Sequence, residues 1–432
     1  MHGRLNSFQK TMLQWYDMHP YNAVHVVRIP GVFEAERVRL RVGSRLEQHG
    51  LTNLELDRKA STYVYHGGRV DCDVKFIPSE PDPLAALGTE IERQLNTPFH
   101  QEGRFNPFRF FALPAKDSFV LGLAYFHPVA DAESIVFLLR DLAQSYLNRG
   151  ASEPATWLDL YPDHRARLLG RHPMVVARKL LALPAQVRRM KQSNRPHCRD
   201  AQDLRNGFNL FSLGPERLHR LVAAAKSWEL TVNDVLLALL MKSVSPLATG
   251  RAKAVKRRKI SAGCIVNLRR ELGMDSSKAF GLFLGSFSVT HAVPEAINLR
   301  VLAGDIRRQT LAIKQGRLYL ATPMELGLGR FVLRFFSPDQ RKKFYQKNYP
   351  LWGGLTNMNL NSLWEQSNDQ RPLDYFRGVS TGPITPLVFS VTTVGDHANV
   401  GLSYRATAFS PEEIEGVKSH FMQHVDQLQE VA

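Results

Sequence analysis

The stretch of this chain best suited to chemistry is Leu121-Gly122-Leu123-Ala124-Tyr125-Phe126-His127-Pro128-Val129-Ala130-Asp131-Ala132. An apolar run ends in a histidine, and an aspartate follows four residues later, where a helical pattern starts. An imidazole changes charge near neutral pH, so a His delivered to a strand end is a candidate general base. An Asp one short turn on is suited to fixing the ring or the local backbone. The spacing alone decides nothing. With 15 His in the chain, roughly 0.7 His-x-x-x-Asp matches are expected by chance, and the sequence holds one. A surface His beside a helix-capping Asp is the competing reading. The order strand, His, Asp, helix is what makes this segment the first site candidate.

Other groupings deflate. Lys256-Arg257-Arg258-Lys259, with Arg251 and Lys253, forms a basic run that resembles a nucleic-acid contact. It precedes a strand and reads as a solvated loop, and no helix-turn-helix, zinc-finger or RNP signature accompanies it. Gly327-Leu328-Gly329 has no following Lys-Ser/Thr, so it is no P-loop. His420 and His424 stand one helical turn apart without an evident third ligand, so no metal is expected there. Phe335-Phe336 and Trp352 read as core or as the lining of a substrate passage.

The elements that must position His127 follow from periodicity. Residues 24–29 read as a strand, and 33–48 as a helix with Val38, Val42 and Leu46 on one stripe. Residues 108–113 and 118–125 form a strand pair turning at Pro114-Ala115-Lys116-Asp117. A helix over 133–148 carries Ile135, Leu138, Leu139 and Leu142 inward. In the second half, strands are expected at 208–213, 259–268, 284–290, 386–394 and 400–404. Helices are expected at 215–228 and 232–244, the latter capped by Thr231. The last helix has Ser410 as N-cap, Pro411 at N1 and Glu413 at N3, with Ile414, Val417, Phe421, Val425 and Leu428 as its buried stripe. The class is α+β in two comparable halves: an N-terminal lobe over 1–165, a basic linker or crossover over 166–206, and a C-terminal lobe over 207–432. The linker, rich in arginine from Arg165 to Arg205, is broken in this reading by Pro173, Pro184 and Pro196.

Composition bounds the rest. The chain has 432 residues, 44% hydrophobic and 22% charged, enough for two or three cored domains. Its formal net charge of +16 says nothing about fold and points to an anionic partner. Cys72, Cys198 and Cys264 are odd in number and lack CxxC spacing, which argues against a disulfide framework or a zinc site. The longest apolar run, residues 235–241, is far too short for a transmembrane helix. No signal peptide is seen in the first residues, and the expected location is the cytoplasm. The basic, Leu/Val-rich stretch 168–195 is suited either to lying on an anionic inner leaflet or to a solvent-facing crossover helix with salt-bridged arginines.

Phe126-His127-Pro128-Val129-Ala130-Asp131-Ala132 resembles the HHxxxDG motif of the chloramphenicol-acetyltransferase-like superfamily, which includes peptide-synthetase condensation domains, plant acyltransferases and bacterial wax-ester synthases. The resemblance extends, in order, to Pro20-Tyr21-Asn22, to Leu95-Asn96-Thr97-Pro98-Phe99 and Pro107-Phe108-Arg109-Phe110, and to Leu230-Thr231-Val232-Asn233-Asp234. It continues through Val266-Asn267-Leu268-Arg269, Leu355-Thr356-Asn357-Met358-Asn359 and Val400-Gly401-Leu402-Ser403-Tyr404. Two positions depart from the motif: Phe126 replaces the first His, and Ala132 replaces the Gly, where a turn altered by the lost backbone freedom is expected. The DFGWG motif of the plant enzymes is missing, which places the chain nearer the bacterial branches.

The resemblance implies two-layer α/β lobes forming a V-shaped pseudo-dimer with a central tunnel. It implies an acyltransferase that moves an acyl group from acyl-CoA or an acyl or peptidyl carrier protein to a hydroxyl or amine, with ester slightly favoured. His127 would be the general base, and Asp131 would pair with Arg269 to lock the motif loop. Asn357, beside backbone N–H groups, is a candidate oxyanion or substrate contact. No permanently bound cofactor is implied; coenzyme A or phosphopantetheine carries the donor. The acceptor would be a small molecule or a lipid, in lipid or secondary metabolite biosynthesis, and nucleic acid drops out as a partner. A free-standing condensation-type enzyme making amides, and a non-catalytic member that binds carrier proteins, are the alternatives.

Overall fold

A computed structural model describes residues 1–70, 72–78, 81–148, 158–162, 174–251, 253–348, 350–364 and 371–428. Arg165, Arg167, Arg171 and Pro173 of the basic region fall outside them.

The chain forms two compact units, each with its own sheet. Neither is continuous in sequence. The first contains Met1–Arg167 together with Arg269–Phe283 and Asn359–Ser380; the second contains Leu168–Leu268, Leu284–Met358 and Thr381–Ala432. Two segments expected in a continuous C-terminal lobe therefore belong to the first unit. The reason is pairing. Strand Asp374–Val379 joins the edge of strand Asn22–Pro30, and Arg269 pairs with Asp131.

The first unit's main sheet has the order Asp374–Val379, Asn22–Pro30, Ser118–Phe126, Phe108–Pro114, Val74–Phe76. Ser118–Phe126 is central and every residue but Val120 is buried, matching its nearly unbroken apolar run. It turns back on Phe108–Pro114 at the expected Pro-Ala-Lys-Asp turn. Gly122 stands opposite Phe111, whose ring occupies the place of a side chain: an added Cβ would lie 2.0 Å from it. Helix Ala35–Gln48 buries Val38, Val42 and Leu46 as its periodicity requires.

The second unit holds a six-stranded sheet in the order Asn206–Leu213, His397–Arg405, Leu387–Val394, Gly353–Asn359, Ile260–Asn267, Leu284–His291. Helices Pro215–Ser227, Val232–Val244, Leu299–Gln315 and Pro411–Asp426 build its core with the sheet's inner face. Val232–Val244 packs against the other three helices, so residues 235–241 are buried on every side. That run is core, and no single helix among the described residues is long and apolar enough to cross a membrane. Thr231 and Ser410 are the N-caps expected of them, and each closes a capping box, with Asp234 and Glu413 respectively.

The basic crossover differs from expectation. Helix Met174–Gln192 continues past Pro184, although an interior proline removes a backbone bond and costs about 3 kcal/mol. Tertiary anchors offset this. Lys179 is buried in an ion pair with Glu325 at 2.6 Å, Val175 is buried, and Ser193 hydrogen-bonds Ser261 just past the helix. The aromatic residues also separate: Trp352 is core, whereas Phe335 is 67% exposed.

Candidate active site

His127 opens a one-turn 3-10 helix, His127–Val129, directly at the end of the central strand. Pro128 fixes that turn, and the His127 N–H donates to the Tyr21 carbonyl at 3.3 Å. The ring is 7% exposed, stacked on Tyr21 with centroids 5.3 Å apart and edge-on to Tyr125 at 5.5 Å. Its Nδ1 lies 2.9 Å from the Ala130 carbonyl. A carbonyl only accepts, so Nδ1 carries the proton and Nε2 presents its lone pair. Nε2 takes no partner among the described residues. Burial pushes the imidazole below its ordinary pKa; the Ala130 bond and the nearby Asp131 charge oppose this only in part. The result is a neutral, oriented base.

Asp131 does two jobs. It is the N-cap of helix Ala132–Leu147, with Oδ1 accepting from the Ser134 N–H at 3.0 Å. It also forms a two-pronged pair with Arg269: Nη1 to Oδ2 at 2.8 Å and Nη2 to Oδ1 at 2.9 Å, both residues 1% exposed. Capping and pairing, set against each other in the sequence, are simultaneous. The Phe283 N–H adds a bond to Oδ2, and the Asp131 N–H donates to the Gly281 carbonyl. Arg269 also donates to Ser134 Oγ and the Ala279 carbonyl, and lies over the Phe283 ring. Burial alone would raise the Asp131 carboxyl, but Arg269 and the two backbone donors outweigh it and hold the carboxyl below its ordinary value.

The two motif departures have structural roles. Phe126 is fully buried among Tyr16, Phe99 and Phe105. Ala132 is the first residue of the helix and keeps ordinary backbone angles, so the altered turn expected there does not arise.

Sequence reasoning missed the groups behind the base. His25, Tyr125, Tyr375 and Arg377 are all buried on one face of the first sheet, because alternate residues of paired strands share a face. His25 Nδ1 meets Tyr375 Oη at 2.7 Å, and Tyr125 touches both His25 and His127. Burial drives the His25 pKa well below its ordinary value and lowers that of Arg377 to about 10, so His25 is neutral and Arg377 charged near pH 7. Polar side chains inside apolar strands, Tyr125 two residues before His127 and His25 within 24–29, were the available signals. His25 and Tyr375 meet only through sheet pairing.

Asn357 sits in the second unit on strand Gly353–Asn359, where its Nδ2 donates to Asn233 Oδ1 at 2.8 Å. Its other amide hydrogen takes no partner among the described residues. The remaining sequence candidates do not gather into a site. Residues 251, 253–259 are loop, and no group of three metal-binding side chains occurs among the described residues, His420 and His424 included. Burial pushes the Cys264 thiol up to about 12, which leaves it inert as a nucleophile.

No protein-family model matches the chain, and no curated protein does. Solved structures do. The condensation domain of the monacolin K polyketide synthase MokA is 11% identical over 98% of this chain and 96% of its own, with a TM-score of 0.71. The first condensation domain of the calcium-dependent antibiotic synthetase, in complex with a substrate analogue, is 15% identical over 100% and 97%, also at 0.71. The cyclization-docking bidomain EpoB from Sorangium cellulosum is 13% identical over 99% and 85%, at 0.70. The chain thus has the fold of the condensation domains, which is that of the chloramphenicol-acetyltransferase-like superfamily.

Proposed function

We propose that this protein is a condensation-type acyltransferase: it transfers an acyl group from a phosphopantetheine thioester to an amine or hydroxyl. The observation that carries this is the state of His127. Its Nδ1–H is fixed on the Ala130 carbonyl and its Nε2 lone pair is uncommitted, in a turn locked by Asp131 and Arg269. Nε2 takes the proton of the acceptor N–H or O–H as that atom attacks the thioester carbonyl. The tetrahedral intermediate collapses, the C–S bond breaks, and the thiol leaves with a proton returned by His127. Hydrogen-bond donors beside the developing oxyanion stabilise it. Aligning donor and acceptor supplies much of the rate, and no acyl-enzyme is needed.

Likeness to condensation domains favours a carrier protein over coenzyme A as donor, and an amide product over an ester. The same fold also appears in an epimerization domain of tyrocidine synthetase, so fold alone does not select the reaction. A partner-binding reading draws on the X-domain solved in complex with OxyB from teicoplanin biosynthesis, 14% identical at a TM-score of 0.60. The intact base, cap and ion pair favour chemistry. The test is incubation with acyl-loaded carrier proteins and acyl-CoA esters, each with amine and alcohol acceptors, read by intact mass. Acceptor-dependent loss of acyl from a carrier supports the proposal; stable donors in every combination support the partner-binding reading instead.

A further inference from the structure

Helix Thr322–Leu333 turns an apolar stripe outward. Met324, Leu328, Phe331 and Phe335 recur at i, i+4, i+7 and i+11, the last just past the helix end, with Val332 beside them. Leu328 is 64% exposed, Phe331 54% and Phe335 67%. Single exposed apolar residues need no explanation, but a continuous stripe on one helix marks an interaction surface. The Arg334 guanidinium lies over both Phe331 and Phe335, at 4.5 and 4.7 Å from the ring centres. The ion pair between Lys179 and Glu325 ties this helix to Met174–Gln192. That neighbour has five Lys/Arg and no Asp or Glu, and its Leu181 is 83% exposed. The following helix, Pro338–Asn348, adds four Lys/Arg against one Asp.

We infer that this face of the second unit binds an anionic lipid bilayer, independently of the reaction assigned to His127. Aromatic and aliphatic side chains seat in the headgroup–acyl boundary, and the surrounding cations meet lipid phosphates. Charge complementarity selects the occupant. A second copy would bring two strongly cationic faces together. The stripe side chains Met324, Leu328, Phe331, Val332 and Phe335 carry no hydrogen-bond donor or acceptor of use to a protein partner, Glu325 beside them is engaged by Lys179, and the other charged neighbours, Arg330 and Arg334, are cationic.

The test uses the full chain and vesicle flotation. Wild type floats with phosphatidylglycerol–phosphatidylcholine vesicles at low salt, less at high salt, and not with phosphatidylcholine alone. The double variant Phe331→Ser, Phe335→Ser weakens that binding by about tenfold, with an unchanged melting midpoint because both rings are exposed. A wild type that stays unbound on anionic vesicles at low salt overturns the inference, as does a variant that floats equally well. A wild-type dimer that the variant converts to monomer, without change in flotation, also overturns it and assigns the face to a second copy. Capture of an acidic carrier protein, lost in the variant while flotation persists, overturns it in favour of a protein partner.

Discussion

At the scale of single residues, His127 and Asp131 divide the labour of one loop, and the division is measurable. Asp131→Ala leaves the buried Arg269 guanidinium without its carboxylate, an error of roughly 3–5 kcal/mol. His127→Ala removes one hydrogen bond and a stacked ring, about 1 kcal/mol. The expected outcome is a large fall in denaturation midpoint for Asp131→Ala and a small one for His127→Ala, with activity lost in both; equal falls contradict the assignment. The pH behaviour follows from the shifts. Only neutral His127 accepts a proton, and its pKa lies below the ordinary 6.5, so the acid limb of the rate profile falls below that value. An acid limb at higher pH would show that the imidazole is not desolvated. For Asp131, the folded carboxyl binds protons less readily than the unfolded one. Its stabilisation is therefore complete above the unfolded value of 3.8 and lost as pH falls through the lower folded value. The His and Asp were legible from their spacing and context. Of their partners only Arg269 was expected, through the resemblance; Phe283, Gly281 and Ser134 contribute backbone atoms or a hydroxyl that no spacing rule marks.

At the scale of elements, three separated stretches of the sequence resemblance converge on one helix end. Helix Pro83–Asn96 leaves carbonyls unpaired at its C-terminus. Asn22 Nδ2 donates to the carbonyls of Gln94 and Thr97, and Arg109 donates to those of Thr97 and Pro98 while stacking on Phe99. These residues are architectural, and they fix the strand Asn22–Pro30 that pairs with the His127 strand. Asn22→Ala should cost about 1–3 kcal/mol, since buried carbonyls lose their donor. Chemical denaturation reads the loss, and the chemical step in the folded fraction should hold; a variant as stable as wild type would remove the clamp from this account. The elements themselves were readable where periodicity and caps agree, as in the helix begun by Ser410 and Pro411. Pro184 shows the limit. Local rules end a helix there, and long-range anchors such as Lys179–Glu325 keep it whole.

For the whole molecule, the exchange of residues 269–283 and 359–380 into the first unit was beyond a linear reading, because strand pairing across more than 300 residues leaves no local trace. It has a functional consequence: Arg269, which locks the motif loop, arrives from the chain segment that follows a strand of the other unit. The +16 charge suits every partner considered, whether an acidic carrier, a phosphate-bearing donor or an anionic surface, and association with any of them should weaken with added salt. The central claim is acyl transfer with His127 as base. Single-turnover release of an acyl group from its carrier protein to a saturating acceptor tests it most directly, comparing wild type with His127→Ala at matched folded fraction. The account predicts a rate about 10²–10⁴ lower in the variant, while an unchanged rate would contradict it.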